Sequence, residues 1–322
     1  MTQVGSSTIE PESWATRPAG ARSKWLYNAP PEEEIMSILV TGGTGTVGSE
    51  VVRQLAGRSE SVRVMTRTIE KMNALPSGVE GVLGDMARPE TLAEALSGVD
   101  RLFLLTPLSQ DETEQGTNAV RAAKKAGVKR IVHMSVYRAE DIPQAPHFAS
   151  KVEIHKALQE SGIPHTVIMP NSFFQNDYWF KDAMLEYGIY PQPIGELGSS
   201  RVDVRDIAEA SVNALLNDGF EGKRYPLVGA EAFTGPSTAE IWSRHLGRTI
   251  QYGGDDLEAW AIQAQRGLPD WMVEDLKIMY GFFQKSGFAS SGDEIKQAER
   301  IIGHAPRKFE DFAAETARMW QS

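Results

Sequence analysis

The stretch Ile38-Leu39-Val40-Thr41-Gly42-Gly43-Thr44-Gly45-Thr46-Val47-Gly48 decides the fold. Its first four residues are a short apolar run of strand type. Val47, Val51, Val52 and Leu55 then recur at helical spacing. Between the two, glycines at 42, 45 and 48 give the pattern Gly-x-x-Gly-x-x-Gly. A strand, a glycine-rich turn and a helix in that order make a dinucleotide-binding fingerprint. Gly42 permits the tight turn, Gly45 lets backbone approach a pyrophosphate, and Gly48 lets the helix pack close to the strand. Thr44, Thr46 and Val47 complete the turn and the helix start, whose free N–H groups and positive dipole end suit phosphate.

Outward from this turn, strands and helices alternate. Ser61–Met65, Gly81–Leu83, Arg101–Thr106, Arg130–Met134 and His165–Met169 read as strands, and Pro89–Leu96, Thr113–Lys125 and Ser150–Gln159 as helices. That alternation predicts an α/β protein, a doubly wound parallel sheet with helices on both faces. After Pro170 the chain becomes aromatic-rich and irregular as far as Tyr190. Arg201–Val204 and Arg224–Val228 read as late strands flanking a helix over Asp206–Leu216. From Gly235 onward the pattern is mostly helical, with one short strand at Thr249–Tyr252. The expected organisation is a dinucleotide-binding domain over residues 36–190 and 200–230, and a smaller, mostly helical C-terminal substrate domain over 231–322. Residues 1–35, rich in Pro, Glu and Ser and without period, read as a poorly ordered extension. A start codon placed too early explains that segment equally well.

Composition agrees with a globular enzyme-sized chain. At about 150 residues per domain, 322 residues suggest two domains, and 41% hydrophobic with 24% charged residues excludes a disordered chain. Cysteine is absent, which excludes disulfides, thiolate metal sites and a cysteine nucleophile. A net charge of −10 disfavours nucleic acid as a partner. The sequence opens without the basic and apolar regions of a secretory leader, and has no run of about 18 apolar residues. A cytoplasmic protein with a small-molecule substrate is expected, without nucleic-acid or membrane partners; a homodimer is left open.

The chemistry is read from the strand ends, where open α/β sheets bind ligands. An acidic residue at the end of the second strand would suit NAD(H). Here that strand ends Met65-Thr66-Arg67, with Lys71 one turn on. A guanidinium at that place suits a 2′-phosphate, so NADP(H) is expected over NAD(H). Asp85 and Met86 end the third strand, where the adenine belongs; a plain turn aspartate explains Asp85 equally well. Thr106 and Pro107 end the fourth, beside the nicotinamide ribose, and Ser135 ends the fifth. The Tyr-x-x-x-Lys pair of this fold is altered: Lys151 is present, but His147 holds the tyrosine position. Lys151 can hold the ribose, and His147 or Tyr137 can supply a proton; His147 as a loop residue without a role is the plainer alternative. His147, Lys151 and His155 lie four apart, which makes a poor metal set, and no metal is expected. Phe173, Phe174, Asn176 and Tyr178 follow the sixth strand and suit a flat apolar substrate, or else pack between domains.

Taken together, these pieces resemble the NmrA-like group of atypical short-chain dehydrogenases/reductases. The resemblance rests on Ile38 to Gly48, Arg67, Gly84-Asp85, Ser150-Lys151-Val152-Glu153 and Ser161 to Thr166. Met169 to Asn176, Val202 to Ala208, Leu246-Gly247-Arg248 and Gly303 to Arg307 extend it. It spans Met36 to about Trp320. It implies dinucleotide contacts at Gly42, Thr44, Gly45, Gly48, Arg67, Asp85, Thr106 and Lys151. It also implies either of two activities: an NADPH-dependent reductase of conjugated acceptors such as quinones, dyes or aryl carbonyls, or a non-catalytic redox sensor that would need a protein partner.

Overall fold

The computed structural model describes Met36–Gln321 apart from Gly57, Ser59 and Glu60; the expected extension over 1–35 lies outside the described residues. Seven parallel strands form the central sheet in the order β3-β2-β1-β4-β5-β6-β8. They are β1 (Ser37–Thr41), β2 (Ser61–Thr66), β3 (Glu80–Leu83), β4 (Arg101–Leu104), β5 (Arg130–Met134), β6 (His165–Pro170) and β8 (Arg224–Leu227). Order reverses between β1 and β4, which opens a crevice at the carboxyl ends of the strands.

Because side chains alternate across a strand, each central strand feeds two cores. Ile38 and Val40 enter one cluster with α1 (Thr46–Ala56) and α7 (Val204–Leu216). Leu39 enters the other with α3 (Leu92–Ala95), α4 (Glu112–Ala126) and α5 (Pro146–Ser161). Burial on both faces is why β1, β4 and β5 read as continuous apolar runs rather than alternating ones. A short α2 (Ile69–Asn73) follows β2. Gly127 and Gly162 end α4 and α5 in left-handed conformations at φ +78° and +72°.

The chain beyond β6 forms a 3-10 turn (Phe174–Phe180), α6 (Lys181–Tyr187) and β7 (Ile189–Tyr190). After β8 come α8 (Gly235–Leu246), β9 (Gln251–Tyr252), α9 (Leu257–Ala264), α10 (Asp270–Ser286), α11 (Gly292–Ile302) and α12 (Phe309–Gln321). β9 pairs only with β7. Trp242 of α8 and Phe309 and Phe312 of α12 enclose a third core with Phe174 and Tyr190. Phe283 of α10 and Ile301 of α11 instead join the sheet's first core.

One expected strand is corrected. Arg201–Val204 contributes only a single bridge, Val202 to Phe173, because Asp203 accepts from the Arg205 backbone N–H and starts α7 at Val204. An N-cap aspartate outweighs the β-branched residues on either side of it.

Candidate active site

The first component is a cleft of about 280 Å³ at the reversal point of the sheet. It is lined by Gly42, Thr44 and Gly45 of the glycine turn, Arg67 and Lys71 after β2, Asp85 and Met86 after β3, and Thr106 and Pro107 after β4. The turn is built for backbone approach. Gly42 sits at φ +67°, and the Gly45 N–H donates to its carbonyl at 2.9 Å. A Cβ on Gly48 would lie 2.2 Å from that same carbonyl oxygen, so only glycine lets α1 start so close to β1. Val47 is buried in α1, so it can offer a ligand only its backbone. Thr46 faces outward into a separate surface cleft of about 700 Å³ with Arg205 and Glu315. This donor set fits a dinucleotide: a backbone cradle at a helix start, two cations where a 2′-phosphate would sit, and a carboxylate for an adenine amine.

The second component is a more enclosed apolar cavity of about 250 Å³. It shares Leu105 and Thr106 with the cleft, so the two meet at the end of β4. Its sheet-side wall includes Ser135, His147 and Lys151. Leu276, Met279, Tyr280 and Phe283, one helical stripe on α10, line it as well. Phe173, Asn176 and Trp179 close the cavity.

The aromatic segment resolves by its own period. A 3-10 helix repeats every three residues, so i and i+3 share a face. Phe173, Asn176 and Trp179 face the cavity. Phe174 and Asp177 are buried at 1% and 0% exposure, the former against Phe309 and Phe312. Gln175 and Tyr178 face the outer cleft beside Thr46. Of the four residues expected at the substrate, the fold brings Phe173 and Asn176 to the cavity and takes Phe174 and Tyr178 elsewhere.

Lys151 stands where cleft and cavity meet. Its ammonium donates to Thr106 Oγ1 at 2.7 Å and pairs with Glu112, while Thr106 Oγ1 donates to Glu112 Oε1 at 2.6 Å. Glu112 is 2% exposed, and its Oε2 has no partner. His147 lies one turn before Lys151 on α5, and its ring Nδ1 pairs with Asp275. Tyr137 lies apart from both. Its hydroxyl donates to Glu294 at 2.9 Å, and burial followed by that carboxylate pushes its pKa well up. Tyr280 does reach the cavity. Its oxygen accepts from Gln192 Nε2 at 3.3 Å, and burial pushes its pKa up to about 12. Gln192 in turn accepts from Tyr190, beside the buried Arg201–Asp177 pair.

A family model described as the NmrA-like family matches residues 35–313. The chain belongs to the NmrA-like family. This NmrA-like chain is 35% identical over 280 residues to the NAD(P)H azoreductase of Xenophilus azovorans, covering 86% of this chain and 96% of that one. Among solved structures it resembles the NADPH-dependent quinone oxidoreductase of Escherichia coli complexed with NADPH. That match has a TM-score of 0.78 and 26% identity, and covers 88% of this chain and all of the other. It also resembles the Citrobacter sp. triphenylmethane reductase complexed with NADP(H), with a TM-score of 0.77, 25% identity, and coverage of 87% and 99%. Among the described residues of this NmrA-like protein, no helix is long and apolar enough to cross a membrane.

Sequence reading missed Glu112, Gln192, Asp275 and Tyr280. Only Glu112 carried a local signal, an acid in the first turn of the helix that follows β4.

Proposed function

We propose that this NmrA-like protein is an NADPH-dependent reductase of small conjugated acceptors such as quinones, dyes or aryl carbonyls. The observation that carries this reading is the meeting of a dinucleotide cleft and an apolar cavity at Leu105 and Thr106. The named activities of the azoreductase, quinone oxidoreductase and triphenylmethane reductase relatives support it.

When bound, the dihydronicotinamide supplies a hydride. The protein's own work is binding, orientation and exclusion of water. Gly42, Thr44 and Gly45, with the backbone N–H groups of Thr46 and Val47, hold the pyrophosphate, and Gly48 keeps that turn tight. Arg67 and Lys71 take the 2′-phosphate, and Asp85 and Met86 the adenine. Thr106, Pro107, Ser135 and Lys151 hold the nicotinamide half. Glu112 balances the charge of Lys151 and fixes its direction. Phe173, Asn176 and the α10 stripe hold the acceptor flat. Residues 36–190 and 200–230 thus hold the cofactor and give Phe173 and Asn176 to the acceptor, and 231–322 add the α10 stripe.

The test is loss of the near-ultraviolet absorbance of NADPH in the presence of a panel of quinones, azo dyes and aryl carbonyls, with NADPH and NADH binding titrated in parallel. Turnover is expected. Tight NADPH binding without turnover of any acceptor overturns the reductase reading and favours a redox sensor.

A further inference from the structure

The contact between α5 and α10 has chemical content beyond packing. His147 is the second residue of α5 and lines the acceptor cavity, with its side chain 14% exposed. Asp275, 128 residues away, is 1% exposed. One of its carboxylate oxygens accepts from the His147 backbone N–H at 3.4 Å, and the other meets ring Nδ1. These are the hydrogen bonds of Asp275 among the described residues. A buried carboxylate without compensation is strongly destabilising. It therefore holds a proton on Nδ1 and turns Nε2 into the free nitrogen of the ring.

We propose that His147 is the proton donor of the reduction and that Asp275 is the residue that positions it. This rests on the reductase reading above. The ionisable groups around the ring are Asp275 on α10, Lys151 one turn along α5 and matched by Glu112 of α4, and Tyr280 on α10. Asp275 is the anion in direct contact with the ring.

A quinone or azo acceptor takes two electrons and one hydrogen from NADPH, which is oxidised to NADP+. The acceptor is left with one negative charge on oxygen or nitrogen. The Nε2–H bond of the imidazolium breaks as the new O–H or N–H bond forms, and solvent returns a proton to Nε2. A cationic triphenylmethane dye needs no proton, because the transferred hydrogen and electron pair alone give the neutral leuco form.

Two measurements test the assignment. In the full-length protein without cofactor, nitrogen NMR of the histidines is expected to place the neutral His147 proton on Nδ1. In Asp275→Asn the backbone N–H of His147 keeps the amide oxygen, the amide –NH2 faces Nδ1, and the ring proton moves to Nε2. With a quinone and NADPH, kcat is expected to fall at least tenfold in Asp275→Asn and roughly 100-fold in His147→Gln, with NADPH affinity within about twofold. A neutral ring protonated on Nε2 in the unaltered protein, or quinone kcat within about twofold in both variants, overturns the proposal. Those results leave the reductase reading intact if the unaltered protein turns over. No turnover of any acceptor by the unaltered protein removes the reductase reading and the proton transfer with it. The tautomer measurement on the unaltered protein needs no variant to fold.

Discussion

Arg67→Glu gives the sharpest separation between a phosphate site and an ordinary surface arginine. Arg67 is exposed at the end of β2 and lines the cofactor cleft with Lys71. No carboxylate side chain is bonded to it among the described residues, so its charge is available to a ligand. A unit charge pair at about 4 Å is worth about 1 kcal/mol in a water-like environment. A 2′-phosphate carries about two negative charges. Removing the guanidinium, as in Arg67→Gln, should therefore cost about 2 kcal/mol of NADPH binding, or roughly 30-fold. Reversing it in Arg67→Glu replaces attraction by repulsion of similar size and doubles the cost to about 4 kcal/mol, several hundred-fold. NADH carries no charge at that position and should bind as before. The assay is calorimetric or fluorescence titration of both cofactors at two salt concentrations. The loss should shrink at high salt, since the Debye length falls from about 10 Å at 0.1 M to about 3 Å at 1 M. Equal losses for NADPH and NADH, or a salt-independent loss, would refute the assignment of Arg67 to the 2′-phosphate.

Three further outcomes follow from the same geometry. Gly48→Ala places a Cβ 2.2 Å from the Gly42 carbonyl oxygen, so it should cost about 3 kcal/mol or more and abolish NADPH binding. Gly267→Ala, with nothing within 4 Å, should change neither when both are measured by urea unfolding and cofactor titration. Lys151→Met strands Glu112 as a buried unpaired charge and should destabilise by about 3–5 kcal/mol; adding Glu112→Gln should restore stability without restoring NADPH affinity, and failure of that rescue would show the ion pair is not the cause. Burial drives the His133 imidazole down to about 3, whereas an unfolded chain binds that proton near pH 6.5. Its contribution to stability is full above about pH 6.5 and is lost as pH falls toward 3, costing about 2 kcal/mol by pH 5. His133→Leu should flatten that acid limb in unfolding experiments at pH 7 and 5, and an unchanged limb counts against it.

Legibility in the sequence followed the range of the interactions. The glycine turn and the strand alternation were readable because each depends on neighbours within a few residues. The ends of the helices drifted by a few positions: α5 starts at Pro146 rather than at Ser150. The segment Phe173–Phe180 was read either as a wall for a flat substrate or as packing between domains. The structure divides its side chains among the cavity (Phe173, Asn176, Trp179 and Phe180), the core and the outer cleft, so the three-residue repeat holds only as far as Trp179. Asp275 and Tyr280 were invisible because nothing local distinguishes them from other residues of an amphipathic helix. Their roles exist only once α10 is laid against α5. The altered tyrosine position pointed to His147, but its carboxylate partner lies 128 residues away.

The helical stripe of Leu276, Met279, Tyr280 and Phe283 lines the same cavity as Thr106 and Lys151 but comes from a separate, late part of the chain. Selection can therefore act on the two parts separately. Drift along one face of a single helix alters the size and polarity of the molecule admitted, while the source of reducing power stays fixed by the glycine turn far upstream. A gene with this plan can change the acceptor it admits through a handful of codons in α10 and leave the glycine turn untouched.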